Sequence, residues 1–180
     1  MASETTLRQG QAGGSLDPVF VAAAGIAVLA AATIAGAWFF ELVLDIRPCP
    51  LCLEQRYAYY LAIPLAALVA FGASRGLSRS LLGGGLAILA LALLANSVLG
   101  GYHAGVEWGF WQGPTDCSGP ITDLSSPGGL LDGLNKVKVI RCDAVQWRFL
   151  GLSLAGYNVL ISLALAALAL WGLVKSRQAA

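Results

Sequence analysis

Four stretches without a charged residue organise the chain: Val19 to Phe40, Tyr57 to Ala73, Leu81 to Tyr102 and Phe149 to Val174. They run from 17 to 26 residues, and a membrane-crossing helix needs about 20 mostly apolar residues. Backbone groups inside a bilayer must satisfy their own hydrogen bonds, so each stretch is expected to be a helix. The runs are continuously apolar and rich in Ala and Leu, without the alternation of barrel strands. The pattern predicts an all-α membrane protein, a four-transmembrane-helix bundle with helices over 19–40, 57–73, 81–102 and 149–174. A tail over 1–18 precedes the bundle, a tail over 175–180 follows it, and the long loop lies between helices 3 and 4. The polar N-terminus lacks the layout of a signal peptide, so the first helix reads as an uncleaved anchor. Trp38, Phe39 and Phe40, then Tyr57, Tyr59 and Tyr60, and finally Trp171 sit near span ends as interfacial aromatics do. Pro64 is expected to kink the second helix, and Asn96, Ser97, Asn158 and Ser162 to hydrogen-bond between helices.

Composition narrows the function. Hydrophobic residues make up 57% and charged residues 12%, against about 25% charged in ordinary globular proteins. Mean hydropathy is +0.72. These values exclude a soluble enzyme and a disordered protein as leading readings. A net charge of +1 with no basic patch makes nucleic acid an unexpected partner. The lipid bilayer is the expected one.

The four cysteines fall in two loops. Glu41 to Arg56 holds Cys49 and Cys52, and His103 to Arg148 holds Cys117 and Cys142, while Ser74 to Ser80 is a short turn. With four spans, the first and third loops face one side and both termini face the other. The terminal side carries Arg8, Arg75, Arg79, Lys175 and Arg177 in little sequence. The cysteine side carries Arg47, Arg56, Lys136, Lys138, Arg141 and Arg148, spread more thinly. This density puts the termini in the cytoplasm. It also puts the cysteines outside the reducing cytosol, where paired cysteines persist.

Cys49-Pro50-Leu51-Cys52 is a C-x-x-C. Haem attachment wants His next, and position 53 is Leu. Zinc needs two more ligands, and Cys117 and Cys142 do not form a second knuckle. No metal is therefore expected, and a staple across so short a loop is strained, which leaves a redox pair. Cys52 lies just before the expected second helix, whose N-terminal dipole stabilises anions. Arg56 follows at i+4, so its guanidinium can lie beside the Cys52 thiol and lower its pKa. A snorkelling membrane anchor is the alternative role for Arg56. Cys117 and Cys142 occupy a loop rich in turn residues, and Leu130 to Ile140 has near-helical apolar spacing that fits a short surface helix. They can form a second exchangeable pair or a disulfide that only closes the loop. His103, the single histidine, sits at the membrane surface as a ligand-pocket residue or a plain interfacial one.

Two segments carry a family resemblance. Cys49-Pro-Leu-Cys-Leu-Glu-Gln-Arg56 and Cys142-Asp-Ala-Val-Gln-Trp-Arg-Phe-Leu-Gly-Leu-Ser153, with the four spans and loop lengths, resemble the DsbB family of membrane thiol oxidases. The match covers roughly residues 20 to 175. Many members have Glu before the arginine where this chain has Gln55, so that position is assigned no role.

The resemblance implies a multi-pass protein of the bacterial inner membrane, with the cysteine loops periplasmic and both termini cytoplasmic. It reoxidises a DsbA-like periplasmic thioredoxin-fold partner. Cys117 takes the mixed disulfide from that partner and Cys142 is its mate; electrons pass to Cys49 and Cys52. Cys52 then faces a quinone of the membrane pool, ubiquinone or menaquinone, with Arg56 and His103 against it. The implied resting pairs are Cys49–Cys52 and Cys117–Cys142, with a transient Cys49–Cys142 bond in turnover. Two rivals remain. One is a protein resembling vitamin K epoxide reductases, whose C-x-x-C lies later in the helix order. The other is a membrane scaffold with structural disulfides.

Overall fold

A computed structural model describes residues 17–114 and 141–178. Among the described residues, four helices are long and apolar enough to cross a membrane: α1 (Pro18–Leu42), α2 (Pro50–Ser74), α3 (Arg79–Glu107) and α4 (Leu154–Gln178). They form a closed ring in which α1 packs on α2, α2 on α3, α3 on α4 and α4 back on α1. The four-span expectation is met. Cys117 and the surface helix expected over 130–140 lie outside the described residues.

The helices meet along small residues and leucines spaced three or four apart. Val19, Ala23, Ile26 and Ala30 of α1 face Tyr59, Ala62, Ala66 and Val69 of α2 in a buried cluster. Leu82, Leu86, Leu89 and Leu93 of α3 complete it with Leu165, Ala166 and Ala169 of α4. Lipid is as apolar as leucine, so close packing and interhelical hydrogen bonds hold such helices together. At one close contact, between α4 and α1, a Cβ built on Gly172 would lie 2.6 Å from the Ala22 Cβ. Gly172→Ala is therefore expected to destabilise the bundle by about 1–3 kcal/mol, and Ala22→Gly in that background to restore it. Thermal unfolding in detergent checks both, and an unchanged midpoint in Gly172→Ala would refute the close approach.

Helix ends differ from the uncharged spans in instructive ways. At its N-terminus α1 is capped by Asp17, whose carboxylate accepts from Val19 N and pairs with Arg79 on α3 at 2.9 Å. Helix α2 begins at Pro50, about two turns before Tyr57, with Cys49 as its N-cap. Proline favours a first helical position because its ring presets φ and its missing N–H has no partner there to lose. Helix α3 runs on to Glu107, so His103 is helical. Pro64 lies inside α2 without ending it.

Helix α4 begins at Leu154, and the residues before it form a two-strand hairpin, β1 (Arg148–Phe149) and β2 (Leu152–Ser153). Leu150 and Gly151 both have positive φ, 48° and 83°, as a two-residue hairpin turn of type I′ requires. Ser153 then caps α4 by accepting from Gly156 N.

Trp38, Phe39, Tyr57, Tyr60 and Trp171 are exposed on the bundle surface. Tyr59 is not an interfacial aromatic: it is buried, and its hydroxyl lies 2.6 Å from Asn158 Oδ1 and 3.0 Å from Ser162 Oγ. Three of the four interior polar residues bond between helices as expected, since Asn96 Nδ2 donates to Asn158 Oδ1 and Ser162 Oγ. Ser97 instead donates to the Leu94 carbonyl of its own helix.

Candidate active site

The end of the bundle where α1 and α3 finish and α2 and α4 begin gathers the reactive side chains. Cys49 Sγ accepts from Cys52 N at 3.2 Å, and the two sulfurs lie 2.8 Å apart as free thiols. That separation is short enough for the pair to close into the disulfide that the resemblance implies. Cys49 is buried and Cys52 half-buried. His103 Nε2 lies 3.6 Å from Cys49 Sγ. Cys142 packs in one buried cluster with Cys49, Leu51 and Val106, against which Cys52 also lies. Cys142 is disulfide-bonded. The first and third loops therefore bring three of their cysteines together.

The characteristic stretch after Cys142 makes that approach. Gln146 Nε2 donates to the Arg47 carbonyl at 2.9 Å, tying the third loop to the segment before the C-x-x-C. Trp147 meets Phe40 edge-on at 5.0 Å between centroids and also packs on Phe149 and Tyr157. Tyr157 in turn donates to the Phe149 carbonyl. These contacts pin the hairpin between α1 and α4.

The electrostatics single out Cys49. The hydrogen bond from the Cys52 thiol draws the Cys49 pKa well below its ordinary value; burial opposes this, and the hydrogen bond with His103 adds to it. The expectation had been a thiolate at Cys52, next to Arg56. The earlier helix start makes Cys49 the capping residue, and capping side chains receive the free N–H groups of the first turn. Arg56 points elsewhere, its Nη1 lying 2.6 Å from Glu41 Oε2 on α1. Both partners are largely shielded, with side-chain exposures of 13% and 32%.

Behind the thiols lies a cavity of about 450 Å³. Ile34, Ala37 and Phe40 of α1 and Ile161 of α4 form apolar walls, with Trp147 and Tyr157 beside them. Cys49, Cys52, Arg56 and His103 also line it, as do Glu107 and Arg141. This volume suits a small ring system, since ligand cavities usually span about 300–1,000 Å³. An arginine and a thiol in the wall of a largely apolar cavity fit a quinone, whose ring is apolar and whose carbonyl oxygens accept hydrogen bonds. As a ligand set for zinc the same atoms fit less well. Cys49 Sγ, Cys52 Sγ and His103 Nε2 lie within 4.8 Å of one another. Two thiolates about 2.3 Å from a tetrahedral zinc would, however, stand about 3.8 Å apart, and these sulfurs are at 2.8 Å.

Sequence reasoning missed three residues of this site. Glu41 pairs with Arg56. Glu107, one turn after His103, lies 4.0 Å from its Nε2 and accepts from Ser153 Oγ. Gln55 bonds His103, Leu51 and Asn158. The i,i+4 spacing of His103 and Glu107 was a usable signal, whereas Glu41 offered none.

A ring of four membrane-crossing helices with a buried dithiol at one end, and a third cysteine against it, defines a multi-pass membrane protein built for thiol–disulfide chemistry. A model of the family "Disulfide bond formation protein DsbB" matches residues 20–172, and the chain belongs to that family. A disulfide bond formation protein B of Azoarcus sp. (strain BH72) is 31% identical over 158 residues, covering 86% of this chain and 90% of the relative. One from Xanthomonas campestris pv. campestris (strain 8004) is 33% identical over 164 residues, 88% of each. One from Xylella fastidiosa (strain Temecula1 / ATCC 700964) is 30% identical over 140 residues, 76% of this chain and 79% of the relative. No solved structure matches the chain. The family supports a disulfide oxidoreductase role in a membrane protein.

Proposed function

We propose that this protein is a quinone-coupled thiol oxidase that reoxidises a DsbA-like thioredoxin-fold partner in the periplasm. The observation that carries the reading is the Cys49–Cys52 dithiol in the wall of a largely apolar cavity that Arg56 also lines. Cys117 and Cys142 form the pair that receives the partner's electrons. The packing of Cys142 against Cys49 supports direct exchange between the two pairs.

Counted from the two neutral thiols, closing the Cys49–Cys52 disulfide releases two electrons and two protons, one of which has already left where Cys49 is an anion. A quinone, ubiquinone or menaquinone, accepts both as it becomes quinol, and that is the chemistry it supplies when bound. In the exchange that delivers the electrons, the Cys142 thiolate attacks the Cys49–Cys52 disulfide at Cys49 and Cys52 leaves; in the reduced pair that results, Cys49 is the thiol held as an anion. Arg56 and the cavity walls orient the acceptor beside Cys52, and the apolar lining limits water. Both termini are cytoplasmic and the cysteine end periplasmic. The arginine-dense 74–80 turn and the need for an oxidising compartment support this orientation.

The test combines the purified full chain in detergent, a reduced DsbA-like protein and a short-chain quinone, with quinol formation followed by absorbance. The expected result is catalytic quinol formation, one quinol for each partner disulfide made. Stoichiometric partner oxidation without turnover, in the presence of quinone, would instead favour a scaffold with structural disulfides.

A further inference from the structure

Ser162, Asn96, Tyr59, Asn158, Gln55 and His103 form one hydrogen-bonded chain that ends on the thiol pair, and its direction is fixed. Gln55 Nε2 donates to the Leu51 carbonyl oxygen at 3.0 Å, and Gln55 Oε1 accepts from Asn158 Nδ2 at 2.6 Å. A backbone carbonyl accepts only, so Leu51 anchors the sense of the whole chain. Turning the Gln55 amide over would set oxygen against oxygen there and nitrogen against nitrogen at Asn158. Asn158 is held in turn, with Oδ1 accepting from the Tyr59 hydroxyl at 2.6 Å and from Asn96 Nδ2 at 3.3 Å. Gln55 Nε2 therefore presents a hydrogen to His103 Nδ1, 2.9 Å away.

A nitrogen that accepts this hydrogen bond carries no proton. The ring proton is left on Nε2, which faces Cys49 Sγ at 3.6 Å. We propose that Gln55, locked by Leu51 and Asn158, is a positioning residue that fixes His103 as the neutral Nε2–H tautomer. The Cys49 sulfur is then held by a neutral donor and not by an imidazolium. Protonating Nδ1 would set a ring N–H against the Gln55 amide hydrogens, in a residue only 2% exposed.

The ionisable groups around the ring are few. Cys49 and Cys52 face it from the start of α2, and Glu107 lies one turn on along α3, where Ser153 donates to it. Arg56 and Arg141 line the same cavity. A carboxylate at position 55 would accept from Nδ1–H and favour the cation. The residue type at this position thus sets the charge beside the reactive thiol.

The inference rests on the thiol-oxidase reading only for the use made of that thiol. Its test does not need turnover. His103 is the only histidine, so ring-¹⁵N histidine labelling gives a single pair of ring signals. In the reduced full chain in detergent, Nδ1 is expected to be pyridine-like and Nε2 pyrrole-like, unchanged between about pH 6 and 8. Gln55→Glu should make both nitrogens pyrrole-like and move the midpoint of Cys49 alkylation about one pH unit lower. Asn158→Leu leaves the Leu51 carbonyl anchoring the Gln55 amide and should keep the Nε2–H tautomer. A protonated Nδ1 in the parent protein would overturn the proposal, as would unchanged ring signals in a folded Gln55→Glu. Failure of quinol formation with the expected ring signals would count against the oxidase reading alone.

Discussion

Alkylation of Cys49 in the reduced protein will stay fast as the pH is lowered from 8.5 to about 6, a range over which an ordinary thiol slows more than about a hundredfold. The reason is that the Cys49 pKa is drawn down to about 5. A lowered pKa leaves the thiolate populated at every pH above it, so reactivity is lost only as the pH approaches the lowered value. The same sign holds for stability: the ionised Cys49 stabilises the reduced fold above the ordinary thiol range, and that contribution disappears as the pH falls through about 5. Cys52→Ala removes the largest cause, the hydrogen bond from its thiol, and should move the alkylation midpoint furthest back up. His103→Leu removes a smaller one and should move it less. Mass spectrometry of the Cys49 peptide after timed alkylation measures each midpoint. A parent midpoint in the ordinary thiol range would refute the assignment of Cys49 as the anionic thiol of the reduced pair.

The bundle was legible because lipid imposes a length and a polarity that few sequences meet by chance. Helix ends were less legible, because an uncharged window stops at the first charge whereas a helix does not. Glu54 and Arg56 fall in the first turns of α2, so the window began at Tyr57 although the helix begins at Pro50. That shift changed which cysteine caps the helix, and with it which thiol is expected to be the anion. The proline directly after Cys49 was the available sign. Helix α3 runs past the uncharged window, from His103 to Glu107, for the same reason.

The C-x-x-C and the approach of Cys142 were readable from loop topology and a distinctive motif. The partners of these groups were not. Tyr59 looked interfacial because it begins an apolar run, but it lies on the face of α2 turned toward α4, where Asn158 and Ser162 receive it. Gln55 is on the buried side of the same helix, one turn nearer its start. Which face of a membrane helix is lipid-facing depends on all three neighbours, and that information is absent from one span alone.

Arg56→Ala is expected to lower turnover at limiting quinone by about a hundredfold, the usual effect of removing one charged donor from a reacting centre. Arg56→Lys keeps a positive charge but loses the planar fork, so it should recover part of that loss. Glu41 complicates the alanine variant, because its carboxylate is largely shielded and would be left without its 2.6 Å partner. A buried charge stripped of its partner can disturb the site by itself. Glu41→Gln combined with Arg56→Ala removes both charges and separates the two effects. If Arg56 acts on the acceptor, the double variant stays as slow as Arg56→Ala. If the loss came from the stranded carboxylate, the double variant recovers. Glu41→Gln alone leaves the guanidinium in the cavity wall and should keep most of the activity. The quinone concentration dependence of turnover decides the matter. Parent-like curves in both Arg56→Ala and the double variant would reduce Arg56 to a membrane anchor and remove it from the site.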